Sequence, residues 1–334
     1  MTKGTKAFRI IVCILLALTM LWSAFFGVVF VAYVQNVILE HEYGIWIAGV
    51  SVTQSNQDDI LGDGSVSYDE VWNILTFQDA NIECDFSIIH SEKDLVVELI
   101  GENKFVCKDN ESITAIYVSN NTLRKDLSFY GDGTLDIVFE NVTKGASGIV
   151  ADNIYIGSDI SITSQDCSDV TNGIVTASAL YIRNNSTVVV NNGSAKNSAA
   201  VASQGNIAIE SGSSLNVNVN PGCSGNCYGL VTYSNMIVSK DSSLSVSIDD
   251  EIADMSACIN VFGSFTVGRG ADVTASSKKA YAIDCLGSFE VYEGAVITAK
   301  SAGKDNDICC FGAVVNGGAD INGDIDALGG VHNK

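Results

Sequence analysis

The chain has 334 residues, of which 39 are acidic and 18 are Lys or Arg, and its formal net charge is −21. This acidic excess argues against nucleic acid as a partner, because phosphate binding requires a basic surface that releases counterions. The 31 glycines, the single proline and the many Val, Ile, Ser, Thr and Asn residues after residue 80 favour short strands joined by polar turns over a helix-rich enzyme.

The first predicted element is an apolar segment, residues 8–34, whose only charged residue is Arg9. About 25 apolar residues can cross a bilayer with some tilt, whereas the apolar core of a cleaved signal peptide has roughly 7 to 15. We therefore expect residues 1–40 to form a cytoplasmic stub and a transmembrane signal anchor, with Lys3 and Lys6 helping to keep the amino terminus in the cytoplasm. This predicts a single-pass protein of the cell membrane with an extracellular C-terminal domain. If the anchor is cleaved, the protein is secreted instead.

Residues 41–90 differ in pattern from the rest and are predicted to form a small N-terminal β cap. Such a cap is needed because a stack of strands would otherwise leave its first edge uncovered. Trp46 and Trp72 are expected to lie in the core of the cap, since tryptophan is usually buried; the alternative is a sugar-stacking role for either ring.

The start of this cap resembles a module that opens many secreted bacterial surface proteins. The resemblance is carried by residues 44–50 (GIWIAGV), Val52, Thr53, Asn56, Asp59, residues 61–64 (LGDG), residues 66–69 (VSYD), residues 75–77 (LTF), Ala80 and Ile82. In those proteins the module precedes glycine-rich β-helical repeats of the carbohydrate-binding-domain, pectin-lyase-like type, and residues 131–135 (GDGTL) are similar to their recurring turn and strand. The resemblance implies a non-catalytic surface protein with affinity for polysaccharide.

An internal repeat runs through residues 91–334. The segments 206–217, 235–246 and 264–275 align without gaps at a spacing of 29 residues, and the next copy begins after 24. Apolar positions alternate with polar ones, as in strands with one buried face, and they form four columns. The columns are Leu127, Ile154, Leu180, Ile207, Met236, Phe265, Phe289 and Val314; Phe129, Ile156, Ile182, Ile209, Val238, Val267 and Val291; Leu135, Ile160, Val188, Leu215, Leu244, Val273, Ile297 and Ile321; and Ile149, Ile174, Val201, Leu230, Ile259 and Ile283. The pattern predicts an all-β fold, a right-handed parallel β-helix, or solenoid.

Ten cysteines raise the question of disulfides. Cys13 lies in the membrane segment, which leaves an odd number outside it, so at least one thiol stays free or pairs between chains. Cys223 and Cys227 flank a short loop of Gly and Asn, where a disulfide and a pair of thiols are equally compatible with the sequence.

The repeat also suggests a pairing between distant cysteines. Aligning Gly287 with Gly312 places Cys285 and Cys310 in one column on adjacent coils. At that separation the two side chains can form either a disulfide or a stacked pair of thiols.

A calcium site is the one metal site that the sequence suggests. Asp320, Asn322, Asp324 and Asp326 alternate like the first ligands of a calcium loop, because this hard cation prefers several oxygen ligands. Ile325 then occupies the position of the usual glycine and Val331 that of the bidentate acid. Surface residues of turns and strands are therefore the alternative interpretation, and no other cofactor is predicted.

Tyr155 and Tyr181 are the candidate ligand-binding residues. Each lies between the first two buried columns on successive coils, so the rings should stack side by side on the surface. Exposed aromatic rows can bind sugar faces or a protein partner. The alternative is a cross-strand pair that only stabilises the sheet.

No catalytic constellation is recognisable in the sequence. Adjacent acids such as Asp249 and Asp250 point to opposite faces of an extended strand, and nucleophile-elbow, phosphate-loop and zinc-protease motifs are absent. The predicted function is therefore that of a non-catalytic, membrane-anchored surface protein that binds or adheres to polysaccharide or to a surface protein. The alternatives are a polysaccharide lyase or hydrolase with an unfamiliar site, and a purely structural envelope protein.

Overall fold

The computed structural model of the protein describes residues 19–20, 22–23, 25–28, 41–120, 125–220, 225–249, 257–303 and 307–333. Within these ranges the chain is all-β, with 3% of residues helical. Most of the predicted anchor, residues 8–34, lies outside the described residues. The helical residues that are described form no helix with the length and apolar character needed to cross a membrane.

The described residues form 32 strands. The first nine are β1 (Glu42–Ile47), β2 (Val50–Thr53), β3 (Val66–Asp69), β4 (Ile74–Gln78), β5 (Asn81–Cys84), β6 (Ile89–Ser91), β7 (Leu95–Ile100), β8 (Glu102–Lys108) and β9 (Ser112–Val118). The next twelve are β10 (Leu127–Tyr130), β11 (Thr134–Glu140), β12 (Gly145–Ala151), β13 (Ile154–Ile156), β14 (Asp159–Thr163), β15 (Val170–Thr176), β16 (Leu180–Ile182), β17 (Thr187–Asn192), β18 (Asn197–Ser203), β19 (Ile207–Ile209), β20 (Ser214–Val219) and β21 (Cys227–Thr232). The last eleven are β22 (Met236–Val238), β23 (Ser243–Ile248), β24 (Ala257–Val261), β25 (Phe265–Val267), β26 (Asp272–Ser277), β27 (Tyr281–Val291), β28 (Val296–Ser301), β29 (Ile308–Val315), β30 (Asp320–Asn322), β31 (Ile325–Ala327) and β32 (Val331–Asn333).

Successive copies of the repeat pair in parallel and form a β-solenoid of about eight turns, as the sequence predicts. Most coils contribute three strands, one to each of three ladders, whereas the long strand β27 belongs to both the first and the third ladder. The first ladder runs through β7, β10, β13, β16, β19, β22, β25 and β27. The second is the ten-stranded sheet from β5 to β30. The third runs through β9, β12, β15, β18, β21, β24, β27 and β29.

The apolar columns predicted from the repeat are the inward rows of these ladders. From Leu127 to Phe289 the first column pairs residue with residue across seven strands, and all of its side chains are fully buried. The columns that begin at Leu135 and Ile149 keep their predicted register in the same way. Equivalent side chains on neighbouring coils therefore stack at about 4.8 Å, and the stack is the hydrophobic core.

One prediction about the first column is wrong. Phe289 pairs with Ala313, whereas Val314, the residue predicted for this column, pairs with Glu290 on the outer side. The pairing of β27 with β29 shifts between Cys285 and Ser288, where β27 carries one residue more than β29. A gap-free alignment of Gly287 with Gly312 cannot anticipate this bulge, so the register downstream of it is displaced by one residue.

Two kinds of glycine position maintain the coil. Gly270, Gly294 and Gly318 have positive φ at the bend before the second ladder, as their spacing of 24 residues suggests, because a side chain is strained in that conformation. Gly173 is required for space instead, because a Cβ there would overlap Cγ1 of Val190. The third ladder thus lies close against the second at this position.

The region assigned to the cap contains antiparallel pairs, β3 with β4, and Ile45–Ile47 of β1 with Ile89–Ser91 of β6. Parallel pairing is also present in this region, since β4 pairs with β7. Trp46, predicted as a core residue, is only half-buried between Ile45 and Ile47 and packs on His90, with ring centroids 5.2 Å apart. Trp72, predicted as a core residue, is 72% exposed, because it lies in the turn after β3, where Asp69 accepts its backbone N–H. The division at residue 90 stays a prediction.

A separate small unit includes, among the described residues, 41–43 and 53–56. Its turn is held locally: the Thr53 N–H donates to Oδ1 of Asn56 at 2.8 Å, and the Gln54 N–H donates to the carbonyl of His41 at 3.1 Å. These contacts are side chain to backbone and backbone to backbone, as is usual for short polar turns.

The ladder core makes a prediction for stability. Ile162→Ala in β14 should lower the free energy of unfolding by about 2 to 5 kcal/mol, because Ile162 is fully buried and the truncation leaves a cavity. Thr163→Ala, one residue further on the outer face, should change it by about 0.5 kcal/mol or less. Urea unfolding of the two variants, followed by circular dichroism, measures both values. Equal destabilisation by the two substitutions would contradict the inward orientation of Ile162.

Candidate functional site

The two candidate tyrosines lie next to each other on the first ladder. Tyr155 in β13 and Tyr181 in β16 are register partners, and each is half-buried between two fully buried neighbours on its strand. Their ring centroids are 5.1 Å apart and the planes differ by only 5°. The predicted stacked pair is therefore present on the outer face of the coil.

Charged groups surround this pair. The guanidinium of Arg183, two residues after Tyr181, lies 5.1 Å from the Tyr155 ring centroid, within the range of a cation–π contact. Nε of Arg183 is buried and has no hydrogen-bond partner in the described part of the chain. Burial, followed by the negative charge of Asp126, raises the pKa of Tyr155, so this phenol stays protonated at neutral pH. The site thus combines a flat apolar stack with a hydroxyl donor and a cation.

A cavity of about 520 Å³ near β3 is lined by the carboxylates of Asp58, Asp69 and Glu70 together with Tyr68. These groups are therefore candidates for acid–base catalysis. The phenol oxygen of Tyr68 is already engaged: its hydroxyl donates to Oδ1 of Asn73, and Nζ of Lys93 donates to it. Burial raises the pKa of Tyr68 to about 12, so the phenol is not a base at neutral pH.

Lys93 is the partner of Tyr68 in this contact. Burial lowers the pKa of its ammonium, while the negative charge of Glu70 opposes this shift. Since the same ammonium donates to the Tyr68 phenol, the arrangement is that of a structural contact, and we assign no reaction to it.

The predicted cysteine pair is in register. Cys285 and Cys310 are partners on β27 and β29, both almost fully buried, and they are thiols that are not bonded to each other. Burial raises the pKa of Cys285 to about 11 and that of Cys310 to about 12. Cys227 is buried in β21, and Cys223 lies outside the described residues, so a disulfide between them stays a prediction.

A second in-register cysteine pair was not predicted. Cys84 in β5 pairs with Cys107 in β8 on adjacent coils of the second ladder. Both lie upstream of Leu127, where the aligned columns of the sequence begin, so the repeat alignment gave them no register. The pairing could have been found only by extending the column of Leu135 back through two less regular coils.

The four predicted calcium ligands are divided between two ladders. Asp320 and Asn322 belong to β30 of the second ladder, whereas Asp326 belongs to β31, which pairs with the third. Asp324 lies between these strands, and its N–H donates to Oδ2 of Asp307. No group of three acidic, histidine or cysteine side chains placed to hold a metal ion occurs in the described ranges. The calcium site stays a prediction, without support from this geometry.

A second stacked aromatic pair was not predicted. Tyr233 and Phe262 stack with ring centroids 4.7 Å apart and planes 22° apart, and both are exposed. Each directly follows the last residue of a third-ladder strand, β21 or β24. The signal was available in the sequence, because the residue after each third-ladder strand forms a column of its own.

Comparison of the chain with protein-family models, curated proteins and solved structures finds no match. The parallel β-solenoid itself is consistent with the pectin-lyase-like architecture that the sequence resemblance implies. Functional inference therefore rests on the side chains described above.

The buried thiols make a prediction for reactivity. Cys285 and Cys310 should resist iodoacetamide at pH 8 in the folded protein, because the thiolate is the nucleophile. Raising a thiol pKa from 9.0 to about 11 lowers the thiolate fraction at pH 8 roughly 100-fold, and burial adds a steric barrier. Cys309, which is only half-buried, serves as an internal control and should react first.

Peptide mass spectrometry measures alkylation at each position before and after unfolding in urea. In the unfolded protein all three cysteines should react without a reductant. If Cys285 and Cys310 instead react only after reduction, they form a disulfide in the protein as isolated.

Proposed function

We propose that the protein is a cell-surface binding or adhesion protein whose ligand is a polysaccharide and whose activity is non-catalytic. The observation that carries this proposal is the Tyr155–Tyr181 stack, held at 5.1 Å by register pairing on the outer face of the coil. Aromatic rings fixed in this way offer an apolar surface that loses little conformational entropy on binding.

The neighbouring groups define how a sugar would be held. Tyr181 is followed on the ladder by Ala208, whose small side chain leaves space beside the tyrosine ring for the C–H face of a pyranose. Arg183 offers donors to hydroxyl or carboxylate oxygens, and its buried Nε lacks a partner in the described chain. Binding would thus combine ring stacking with a few hydrogen bonds on a shallow, rigid surface.

The proposal includes the finer parts of the fold and the location. We propose that the coil is right-handed, that residues 8–34 anchor the protein in the cell membrane, and that the solenoid faces the outside, as in the secreted bacterial surface proteins that residues 44–82 resemble. Support comes from the apolar length of the segment and from the basic residues that precede it.

The tyrosine stack makes a prediction for binding. The double variant Tyr155→Ala, Tyr181→Ala of the full chain should lose about tenfold or more in affinity for the polysaccharides that the natural sequence binds on a glycan array, because stacked aromatic contacts contribute roughly 0.5 to 1.5 kcal/mol each beyond their buried area. The double variant Tyr155→Phe, Tyr181→Phe keeps the rings and should retain most of the affinity.

Tyr292→Ala is the matched control, since Tyr292 is an exposed tyrosine that takes no part in the stack. Unchanged binding by the Tyr155→Ala, Tyr181→Ala variant would refute this site. The absence of any glycan binding by the natural sequence would refute the function itself, and release of reducing ends from a bound glycan would show an enzyme instead.

A further inference from the structure

Asn260, on the outer side of the third ladder, is buried although its position faces outward. It pairs with Val231 on one neighbouring coil and with Asp284 on the other. Only 8% of Asn260 is exposed, and its side-chain oxygen, Oδ1, has no hydrogen-bond partner in the described part of the chain. A buried amide oxygen without a donor is costly, by roughly 1 to 3 kcal/mol. Such a group requires an explanation, and one explanation is a bound ligand that donates to it.

Asp284, the neighbour of Asn260 on the next coil, is also without a partner in this region. Within the described ranges its carboxylate makes no hydrogen bond and no ion pair, and its side chain is partly buried. Burial raises the pKa of this carboxyl, which reflects the lack of a nearby donor or cation. Asn260 and Asp284 together form what we call the polar floor, and both of its members present an acceptor that lacks a donor.

Aromatic side chains stand beside the polar floor. Phe262 follows Asn260 by two residues, directly after the end of β24, and Tyr233 stacks on Phe262; Phe262 is 42% and Tyr233 53% exposed. We call this pair the aromatic rim. Tyr228 also lies nearby: burial, followed by the charges of Tyr233 and Asp284, raises its pKa. The rim therefore offers apolar surface to the solvent directly beside the unsatisfied acceptors.

The aromatic rim continues as an apolar ridge. The third-ladder register places Val261, Cys285, Cys310 and Ala327 on successive coils. The residues that directly follow them in the sequence are all exposed and apolar: Phe262, Leu286, Phe311 and Leu328. With Tyr233 the ridge spans five coils, or about 19 Å at the spacing of parallel strands. It is longer than a single sugar ring, so an extended polymer can contact it at several points.

We propose that the polar floor and the aromatic rim form a second sugar-binding site, which takes one pyranose unit of a polysaccharide whose chain continues along the apolar ridge. The C–H face of the sugar lies against the rim, its hydroxyls donate to the carboxylate of Asp284, and rotation of the Asn260 side chain brings Oδ1, which is buried in the free protein, to the same ligand. This site rests on the proposed function, because it assumes that polysaccharide is the ligand class, but it uses residues that the Tyr155–Tyr181 stack does not.

An organic cation is the competing ligand, since aromatic rings and a carboxylate in a protein of net charge −21 attract amines. The amide of Asn260 favours a sugar, because an amide carries both an acceptor and donors. A sugar hydroxyl can accept and donate at once, whereas an ammonium group can only donate. The length of the ridge also favours a polymer with a repeated apolar face over a small cation.

The test compares variants of the full chain on an array of short and long neutral, acidic and amino oligosaccharides, with choline and spermidine as amine probes. Asp284→Ala and Phe262→Ala should each weaken glycan binding about tenfold, since each removes one ligand contact. Asn260→Leu should weaken it similarly and at the same time raise the thermal unfolding midpoint, because it replaces an unsatisfied buried amide with an aliphatic side chain like the neighbouring Val231. Tyr292→Ala serves again as the control.

The outcomes separate this site from the proposed function. Losses in the Asp284 and Phe262 variants that are larger for long oligosaccharides than for short ones support the second site and the ridge. If the natural sequence binds glycans but all three variants bind as it does, the second site is wrong and the proposed function stands. If the natural sequence binds no glycan, both fail, and binding of the amine probes alone overturns the sugar assignment. Because Asp284 and Phe262 are accessible, these two variants decide the question even if Asn260→Leu does not fold.

Discussion

In-register hydrogen bonding between neighbouring coils is the constraint on which the rest of the structure depends. Each coil presents its backbone N–H and C=O groups to the next, and parallel pairing keeps equivalent residues at one spacing. The inward rows then become continuous apolar columns, and the outward rows become continuous surfaces. A shift of one residue would exchange the two, so a single pairing rule determines both the core and the outer surface.

The same rule explains which parts of the fold the sequence can predict. The columns from Leu127 to Phe289 were predictable because every coil repeats the same alternation, and the register follows from alignment alone. The prediction of Val314 failed at the bulge after Cys285, because a bulge adds a residue without changing the apolar pattern. The prediction that Trp72 is buried failed for a related reason. Trp72 lies in a turn outside the repeat, where residue type is a weak guide to burial. The division at residue 90 and the handedness of the coil require information that residue periodicity does not contain.

The residues of the candidate sites differ in the same way: some could be predicted from the sequence and others could not. Tyr155 and Tyr181 could be predicted, since two identical residues in one outward column must lie side by side. Tyr233 and Phe262 lie just beyond a strand, where no column had been defined. Asn260 could not have been recognised at all, because its position in the alternation predicts an exposed side chain. Its burial and its unsatisfied oxygen depend on three-dimensional packing, which the alternation of residues does not contain.

The two aromatic pairs follow a common geometry. Along the first ladder Tyr181 is followed by Ala208 and then by Ile237, and Tyr233 belongs to the same coil as Ile237. The pairs are thus offset by two coils, or about 10 Å along the coil stack.

A polysaccharide chain that contacts both would make its second contact at the high effective concentration set by the first, so two weak shallow sites can together give firm attachment. A regular stack of coils suits this mode of binding, because it repeats a contact surface at fixed intervals and requires no deep pocket. Shallow contacts on a rigid ladder therefore suit adhesion to a polymer. Tight binding of a small molecule usually requires a concave pocket instead.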